Sequence, residues 1–461
     1  MSIDSLIGTI PSHWQVASLG DACAAGGGNV QTGPFGSQLH AADYVPFGIP
    51  SIMPQNIGDN RINAQGIARI TGDDAERLSR YRVQIGDVVY SRRGDVERRA
   101  LIREGEEGWL CGTGCLRVRF GSGIVDPLYA SFYLGHPDVR AWIVRHAIGA
   151  TMPNLNTGIL SSLPFVLPPL DEQRAIAAVL GALDDKIELN RRMNATLEAM
   201  ARALFKSWFV DFDPVRAKME GRTPYGMDAA TAALFPAAFT DSPLGPIPVG
   251  WHVASLPDVI AVNPSRTLHK GETASYLDMQ NMPTSGHRAV EWIDRAFGSG
   301  MKFTNGDTLL ARITPCLENG KTAFVDFLKD GEVGWGSTEY IVLRPRSPLP
   351  VEYGYFLARS EEVRAHAIQS MTGSSGRQRV PASCFDRYLL VVPPEPIAGC
   401  FGETVRSHMD KIRSNSEQSR TLAAIRDALL PKLLSGAVRI RDAMRAAEMT
   451  SLVRRDMVTH E

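Results

Sequence analysis

Arginines are concentrated in one segment of the first half of the chain, and their chemistry suits an anionic ligand. The acids between residues 77 and 103 are only Asp87, Asp95 and Glu97, whereas the arginines are Arg77, Arg80, Arg82, Arg92, Arg93, Arg98, Arg99 and Arg103. A guanidinium group neutralises phosphate and matches the two acceptors of guanine in the major groove. The segment predicts nucleic-acid contacts by Arg92, Arg93, Arg98 and Arg99, with a solvated charged face as the alternative.

Amide side chains and further cations occur at matching places in the two halves of the chain. They are Gln55, Asn56, Asn154 and Asn156 in the first half, and Gln280, Asn281, Arg312, Lys321, Arg377, Gln378 and Arg379 in the second. Amide groups can pair with adenine through two hydrogen bonds, and loop amides suit contacts to a nucleic-acid backbone. Because asparagine in a turn often bonds its own backbone, a purely structural turn is the alternative for these amides.

Catalytic signatures are incomplete in this sequence. A DNA methyltransferase requires an Asn/Asp-Pro-Pro-Tyr/Phe motif, but the run from Asp126 to Tyr129 lacks the second proline. No GxxxxGK[ST] phosphate loop occurs, and the glycine-rich stretches have no clear strand–turn–helix frame. Cys111 and Cys115 have no second ligand pair at zinc-site spacing, so buried thiols are expected there. The chain is predicted to be non-catalytic, with no metal site and no cofactor of its own.

Composition limits the class of protein. A chain of 461 residues, 44% hydrophobic and 21% charged, has enough material for two sizeable globular cores. No stretch approaches the roughly 18 apolar residues of a membrane span, and the N-terminus has no secretory signal pattern, so a cytoplasmic location is expected. The net charge of −1 argues against a broad affinity for nucleic acid but permits local basic patches.

The sequence segments that position these side chains form an internal repeat of two copies. The segment from Ile10 to Asp21 recurs from Ile247 to Asp258, at an offset of 237. The second copy then follows the order of the first, and the offset is 225 where Asp185-Lys186-Ile187 is matched by Asp410-Lys411-Ile412. Two long repeats in matching order predict two similar domains in one chain.

Each copy is predicted to combine a mixed α+β domain with one long helix. The residues from Asp171 to Trp208 contain no proline and one glycine, which predicts a helix of about 38 residues. Apolar and amide residues follow two heptad series there, namely Ile176, Leu183, Asn190, Leu197 and Leu204, and Leu180, Ile187, Asn194 and Ala201. Such a pattern favours a paired coiled-coil helix, and the alternative is that each helix packs only on its own domain.

The second copy supplies a partner for this helix. Shifted by 225, the two series become Phe401, His408, Asn415, Leu422 and Leu429, and Val405, Ile412, Ser419 and Arg426. We therefore predict an antiparallel coiled coil with internal pseudo-twofold symmetry. Its register is assigned to Asn190 and Asn415, because buried amides cost stability but fix register, together with Leu183, Ile187, Leu197, Ile412 and Leu422.

These patterns give a complete domain assignment. The predicted boundaries are 1–167 and 246–392 for two globular domains, 168–212 and 393–436 for two long helices, 213–245 for a connector and 437–461 for a tail. The predicted fold class is α+β, with the two domains separated by the helices. A helix of this length spans roughly 57 Å, which would hold two binding surfaces at a fixed distance.

The ordered motifs resemble the DNA-specificity subunit of type I restriction-modification systems over nearly the whole chain. They are the Ile-Pro…Trp signature, the two Gln-Asn turns, Leu309 to Lys321, Met152 to Asn156, and Pro168 to Ile176, several of which occur twice in the same order. The resemblance implies two target-recognition domains that each read half of a split DNA site. It also implies that two methylation subunits and restriction subunits are partners, and that S-adenosylmethionine, ATP and Mg are bound by those subunits.

Two other functions are compatible with parts of the sequence. One is a degenerate or fused adenine methyltransferase that uses Asp126 and Tyr129. The other is a structural assembly protein whose helix pair acts as a rod and whose arginines do not contact DNA. The first predicts cofactor binding by this chain alone, and the second predicts that replacing Arg92 and Arg93 leaves DNA affinity unchanged.

Overall fold

The computed structural model describes residues 2–149, 152–374 and 376–438, which form two compact units. Of these residues, unit 1 contains those up to 187 and those from 419 to 438, and unit 2 contains those from 188 to 418. The predicted tail, 437–461, lies outside the described residues from 439 onward. Among the residues described, no helix is both long and apolar enough to cross a membrane.

The first part of the chain alternates short strands with short helices before one long helix. The strands are β1 Ser2–Ser5, β2 Gly8–Pro11, β3 Gln15–Ser18, β4 Gly27–Thr32, β5 Tyr44–Val45, β6 Ile49–Ile52, β7 Ala68–Ile70, β8 Val88–Ser91, β9 Arg99–Leu101, β10 Leu110–Cys111, β11 Cys115–Gly121 and β12 Pro164–Leu167. The helices are α1 Leu19–Ala25, α2 Gly72–Arg77, α3 Pro127–Tyr133, α4 Pro137–His146, α5 Thr157–Ser161 and α6 Leu170–Phe209.

Unit 1 is built around two four-stranded sheets. One is antiparallel, with strand order β4-β11-β8-β9, and the other has the order β10-β6-β7-β5. Strand β8 shows no apolar–polar alternation, and every one of its residues is buried because both faces of the sheet are covered there. Cys111 and Cys115 lie inside, and burial raises the pKa of the Cys111 thiol to about 12. The prediction of buried thiols at these positions is confirmed.

The second part of the chain repeats this plan. The strands are β13 Phe239–Thr240, β14 Ile247–Pro248, β15 His252–Ser255, β16 Ile260–Val262, β17 Thr273–Leu277, β18 Ile293–Ala296, β19 Met301–Phe303, β20 Thr308–Ala311, β21 Thr322–Phe324, β22 Gly334–Gly336, β23 Tyr340–Pro345 and β24 Leu389–Val392. The helices are α7 Asp213–Met219, α8 Ala229–Leu234, α9 Leu256–Val259, α10 Val351–Arg359, α11 Glu361–Gln369 and α12 Glu395–Leu434.

The sheets of unit 2 match those of unit 1 except for one strand, which is added at opposite edges of the mixed sheet in the two units. The antiparallel sheet has the order β16-β23-β20-β21, which corresponds to β4-β11-β8-β9. In the other sheet, the parallel pair β17 and β22 corresponds to β6 and β10. The fourth strand differs, because β5 pairs with β7 in unit 1 whereas β19 pairs with β22 in unit 2. The α+β prediction is confirmed, and the repeat is visible in strand pairing.

The two long helices have the predicted extent. Helix α6 begins at Leu170, immediately after the Pro168-Pro169 pair, carries Asp171 and Glu172 in its first turn and continues for 40 residues. Acidic side chains near a helix N-terminus interact favourably with its dipole. Helix α12 is also 40 residues long and accommodates Pro431 near its end.

Within unit 2, the segments of α6 and α12 run antiparallel. Asn190 Nδ2 donates to the Asn415 carbonyl oxygen at 3.2 Å, while Asn415 Nδ2 donates to Asn194 Oδ1 at 2.9 Å. Farther along α6, the Phe205 ring lies 5.9 Å from that of Phe401. The structure thus brings together the two amides assigned to the register, and Ile412 is buried beside them while Leu197 is half-buried. Their role in fixing register stays a prediction.

Within unit 1, the other two segments of these helices share the hydrophobic core of the globular part. Ile176 and Leu180 from α6 belong to the same buried cluster as Leu433 from α12. Arg426 Nη1 donates to Asp184 Oδ1 at 2.6 Å across the pair. Leu183 is buried, and Ile187 and Leu422 are half-buried.

The predicted connector contains ordered structure, since α7, α8, β13 and β14 lie within or next to it. The aromatic residues that precede it, Trp208, Phe209 and Phe212, are buried in the main cluster of unit 2. Burial of these rings agrees with the expectation that their size requires a packed surrounding.

Candidate nucleic-acid interface

In unit 1, backbone hydrogen bonds hold the Arg92–Arg93 turn against a second loop. The turn follows β8, and Gly94 ends it with a φ of 74°. Leu155 N–H donates to the Arg92 carbonyl at 2.8 Å, and Gly94 N–H donates to the Pro153 carbonyl at 3.2 Å. Arg93 and Asn154 form a β-bridge. We call residues 92–94 with 152–155 the loop pair of unit 1, and it fixes the backbone from which both arginines project.

The side chains of this loop pair retain polar groups that no described residue satisfies. Arg93 is exposed, and Arg92 is half-buried with its guanidinium carbon 5.8 Å from the centre of the Phe35 ring. Arg92 Nε and Asn154 Oδ1 are both buried and have no hydrogen-bond partner in the described part of the chain. Most buried polar atoms in proteins have a hydrogen-bond partner, so these two atoms are exceptions that contacts within the described chain do not explain.

Unit 2 contains an equivalent loop pair, formed by residues 312–314 and 377–380. Val380 N–H donates to the Arg312 carbonyl at 2.8 Å, and Thr314 N–H donates to the Gln378 carbonyl at 3.0 Å. Ile313 and Arg379 form the β-bridge that corresponds to Arg93 and Asn154. Arg377 is exposed, Gln378 is half-buried, and Ser375 in the preceding loop lies outside the described residues.

One cation of this second loop pair already has an acidic partner, and a second does not. Arg379 Nε donates to Glu339 Oε1 at 2.8 Å. Arg312 Nε is buried and has no hydrogen-bond partner among the described residues. The loop pair of unit 2 therefore has the same backbone hydrogen bonds as that of unit 1. Its second loop carries Arg379 where unit 1 has Asn154.

Arg99 lies in the interior, so the expectation that it contacts DNA is wrong. Its side chain is 7% exposed, and its Nε donates to the Ser131 carbonyl at 2.9 Å. Burial lowers its pKa, and an ion pair with Asp59 at 3.6 Å partly compensates its charge. Arg98, the preceding residue, points to solvent and pairs with Asp95 at 2.9 Å. The environments differ because Arg98 precedes β9, whose three residues, beginning with Arg99, are all buried.

The Gln-Asn turns separate into an exposed and a structural residue. Asn56 is buried, where its Oδ1 accepts from Met53 N–H and its Nδ2 donates to the Asn63 carbonyl, both at 3.0 Å. The expectation that Asn56 contacts bases is therefore wrong, and the structural alternative holds. Gln55 is exposed. Asn156 is also structural, because its Oδ1 caps α5 by accepting from Ile159 N–H at 2.8 Å.

The second Gln-Asn turn is more accessible. Gln280 is exposed and Asn281 is half-buried, and the backbone N–H of Asn281 donates to Asp278 Oδ1 at 2.7 Å. Lys321 Nζ donates to the carbonyl oxygens of Met279 and Gln280, so its ammonium group secures the turn. A positioning role explains Lys321 better than a free basic contact.

The residues of the catalytic alternative have structural roles. Asp126 Oδ1 caps α3 by accepting from Tyr129 N–H at 2.9 Å. Tyr129 is fully buried, its hydroxyl group donates to the Val166 carbonyl at 3.0 Å, and burial raises its pKa. A capping carboxylate and a buried phenol cannot form a substrate cleft, so this motif gives no support to methyl transfer.

One residue of the site was missed by the sequence analysis. Phe35 is 53% exposed beside Arg92 and lies in the run Gly33-Pro34-Phe35-Gly36. Glycine and proline on both sides of an aromatic residue indicate a tight turn with the ring at its tip. That pattern is the signal that could have identified it.

Comparisons with known proteins agree on one family. The family model described as the type I restriction modification DNA specificity domain matches residues 11–199. The HindI type I restriction enzyme specificity subunit of Haemophilus influenzae is 24% identical over 406 residues, covering 77% of this chain and 87% of that protein. The MjaIX specificity subunit of Methanocaldococcus jannaschii is 23% identical over 447 residues, covering 95% and 96% respectively.

A solved structure has the same fold. The S subunit of a type I restriction-modification system from M. genitalium matches with a TM-score of 0.53 at 14% sequence identity, covering 92% of this chain and 96% of that chain. At this identity, the likeness concerns the fold alone.

Proposed function

Because the chain belongs to the specificity-subunit family of type I restriction-modification systems, we propose that it reads DNA sequence and catalyses no reaction. Each unit reads one half of a bipartite site, and the helices α6 and α12 set the number of unread base pairs between the halves. The resemblance identified from the sequence motifs is confirmed by the family match and by the named relatives.

The observation that carries this proposal is the loop pair, which occurs once in each unit. In both, a strand of the antiparallel sheet ends in an arginine whose carbonyl oxygen is bonded by the second loop. A backbone fixed in this way restricts the orientation of its side chains, and such rigidity supports a role in precise contacts to bases. Arginine supplies both phosphate neutralisation and guanine recognition.

The residues proposed to contact DNA are those that the structure leaves accessible. They are Gln55, Arg92, Arg93, Arg98 and Asn154 in unit 1, and Gln280, Asn281, Arg312, Arg377, Gln378 and Arg379 in unit 2. Lys321 positions Gln280. Arg98 and Arg379 already pair with acids, so their contribution is expected to be smaller than that of Arg93 and Arg377.

Partners follow from the same proposal. The chain docks two methylation subunits and is joined by restriction subunits, and S-adenosylmethionine, ATP and Mg are bound by those chains. Support comes from the specificity-subunit names of its relatives. Copurification with a tagged methylation subunit, followed by mass determination of the complex, tests the expected ratio of two to one.

The direct test is selection of bound sequences from a random duplex pool, with this chain coexpressed with its methylation subunit at a stated near-physiological salt concentration. Two short blocks at one fixed spacing are expected to be enriched. Replacement of residues 1–165 by the same segment of another specificity subunit should change one block only. A single continuous site, or no enrichment, would contradict the bipartite reading.

Paired variants assign each loop pair to its block. Arg92→Ala with Arg93→Ala should relax the first block, whereas Arg377→Ala with Arg379→Ala should relax the second, by about 1–3 kcal/mol for each arginine–guanine pair that is removed. Arg222→Ala is the matched control, because Arg222 is exposed in the connector and bonds Glu220. Unchanged affinity in both double variants would favour the structural assembly protein instead.

A further inference from the structure

Phe35 occupies the tip of an anchored turn that precedes Gln38. Gln38 N–H donates to the Phe35 carbonyl at 2.8 Å, and Phe35 N–H donates to Gln38 Oε1 at 3.3 Å. An aromatic ring that is 53% exposed loses the stabilisation that its burial would provide. Such a ring at a fixed position requires an explanation other than packing.

The turn is anchored on both sides by the rest of unit 1. Gln38 Oε1 accepts from the Tyr81 hydroxyl at 2.8 Å, and the Gln38 carbonyl accepts from Arg77 Nη1 at 2.9 Å. On the other side, Gly33 N–H donates to the Cys115 carbonyl at 2.9 Å. A Cβ on Gly33 would lie 2.1 Å from the Gly112 carbonyl oxygen, so the chain is packed tightly there. These contacts keep the ring presented at the surface.

The ring and the Arg92 guanidinium group form one composite surface. Their separation of 5.8 Å is within the range of a cation–π contact, which restricts the orientation of the guanidinium group. Two further apolar side chains, Ile148 and Met152, are each 63% exposed. Ile148 is bonded through its backbone to Asn154, which is bridged to Arg93. The arginines of this loop pair are thus accompanied by exposed apolar groups.

Only one base edge in the major groove of DNA presents an apolar group, the C5-methyl group of thymine. Guanine presents the two acceptors that arginine matches. We propose that Phe35 is a specificity-determining residue that contacts the methyl group of a thymine next to the guanine read by Arg92. This inference rests on the proposed function, and it assigns a thymine and an adjoining guanine to the half-site of unit 1.

Unit 2 differs at the corresponding segment. After β16, the chain carries Arg266, whose Nη2 donates to both carboxylate oxygens of the buried Asp307 at 3.0 and 3.1 Å. This ion pair holds Arg266 against a buried carboxylate, and Arg312 makes no cation–π contact with an aromatic ring of the described residues. The thymine-methyl contact therefore belongs to the half-site of unit 1 and not to that of unit 2.

The test replaces thymine by uracil, which removes the methyl group and leaves base pairing unchanged. The probes are duplexes of the selected site in which each thymine of the first block is replaced in turn, bound by the complex with the methylation subunit. At one position, uracil should weaken binding by about fourfold, the equivalent of one buried methyl group. Phe35→Ala should bind the thymine and uracil probes equally, at the affinity of the wild-type chain for uracil.

Phe47→Ala is the matched control, because Phe47 is an exposed phenylalanine of unit 1, 90% accessible, without a ring or cation contact to a described residue. It should keep the preference for thymine. The inference is overturned if the wild-type chain binds all uracil probes as well as thymine, if the first block contains no thymine, or if Phe35→Ala retains the preference.

The outcomes separate this inference from the proposed function. If the wild-type chain selects no bipartite site, the proposed function fails. If it selects one but ignores the methyl group, only the role of Phe35 fails. If Phe35→Ala no longer copurifies with the methylation subunit, Phe35 is a protein contact and the inference is wrong.

Discussion

Both units bury a guanidinium group between a strand and the helix that packs on it. The arginine lies on the strand in unit 1 and on the helix in unit 2. In unit 1, Arg99 of β9 fills the space beside Gly135, where a Cβ would lie 1.8 Å from its Nη2. In unit 2, Arg359 at the end of α10 fills this space and donates to the Thr322 carbonyl of β21 at 3.3 Å. The pairings of β9 with β8 and of β21 with β20 make Arg99 and Thr322 equivalent.

Because Arg99 belongs to the arginine-rich segment and is nevertheless buried, a cluster of arginines in the sequence is not by itself evidence of nucleic-acid binding. Arg99 and Arg359 both stabilise the interior of their unit. The position equivalent to Arg359 is Gly135 in unit 1, and the position equivalent to Arg99 is Thr322 in unit 2. A pair of coupled positions can change without a change of fold, since the guanidinium group and its carbonyl acceptors remain together. Among the arginines proposed to contact DNA, Arg92, Arg93, Arg377 and Arg379 lie instead on the two loop pairs.

A second comparison concerns a feature that both units retain. Gly86-Asp87 and Gly306-Asp307 form equivalent turns, in which each buried carboxylate accepts a backbone N–H from three residues earlier at 2.8 Å. Each also pairs with an arginine of the neighbouring strand, Asp87 with Arg119 at 2.6 Å and Asp307 with Arg344 at 3.3 Å. Asp307 has a second guanidinium partner in addition, which is Arg266.

The largest expected difference in stability between the units follows from replacing the equivalent arginines Arg119 and Arg344. Arg119→Ala leaves Asp87, which is 2% exposed, without this cation and should destabilise unit 1 by about 3–5 kcal/mol. Arg344→Ala should cost only about 1 kcal/mol, because Arg266 still bonds both oxygens of Asp307. Hydrogen exchange of core peptides reports the stability of each unit separately.

The double variant Arg344→Ala with Arg266→Ala is the control for this redundancy. It should destabilise unit 2 as much as Arg119→Ala destabilises unit 1. Equal losses for the single variants Arg119→Ala and Arg344→Ala would show that the second cation does not compensate.

The guanidinium exchange is tested by adding one methyl group. Gly135→Ala should destabilise unit 1 by about 1–3 kcal/mol, because the new Cβ would displace the Arg99 guanidinium group. Gly72→Ala is the matched control in unit 1, since its Cβ would meet no atom within 4 Å. Urea unfolding monitored by hydrogen exchange measures the free energy of unfolding of unit 1 in both variants.

Introducing the residues of unit 2 at these two positions of unit 1 tests whether the positions are coupled. Gly135→Arg alone should prevent stable folding of unit 1, whereas Gly135→Arg combined with Arg99→Thr should restore much of the stability. If the combined variant is no more stable than Gly135→Arg, the two positions are not coupled.

The sequence predicted the framework of the fold well because its signals are local. The long helix was expected over Asp171 to Trp208 and extends from Leu170 to Phe209, since the proline pair before it and the absence of proline within it are visible directly. The different edge strands β5 and β19 were not predictable. Both are two or three residues long, and their pairing depends on distant segments.

The candidate site was only partly predictable for the same reason. The Arg92–Arg93 turn has a local signal in Gly94, but the loop that bonds it lies about 60 residues later in the chain. The burial of Arg99 depends on Gly135, and the burial of Asn56 depends on its bond to Asn63. Phe35 was overlooked because an aromatic residue between short strands is usually part of a core.

The smallest expected difference between the units concerns pH, because each buries a histidine in an opposite environment. In unit 1, burial lowers the pKa of His136, and Asp138, at 3.7 Å, offsets this effect only in part. In unit 2, burial also acts to lower the pKa of His287. However, Asp326 and Glu198, whose oxygens lie 3.7 and 3.5 Å from its ring nitrogens, outweigh burial and raise the pKa above its ordinary value of 6.5.

These shifts give opposite slopes of stability against pH. His136 must be neutral in the folded state, so unit 1 should lose stability as the pH falls from 6.5 toward the lowered pKa. His287 is protonated in the folded state, so unit 2 should lose stability as the pH rises from 6.5 through the raised pKa. Arg288 and Arg359 lie near the carboxylates of the His287 cluster and reduce the size of its response.

Hydrogen exchange at pH 5.5 and 8.5, corrected for the intrinsic exchange rate, measures the two slopes in one sample. His136→Gln should remove the loss in unit 1 at low pH and leave unit 2 unchanged, because glutamine keeps a polar side chain but does not titrate. His287→Gln should remove the loss in unit 2 at high pH in the same way. Parallel slopes in the two units of the wild-type chain would contradict the assignment, since carboxylate pairs common to both units would then control the response and not the two histidines.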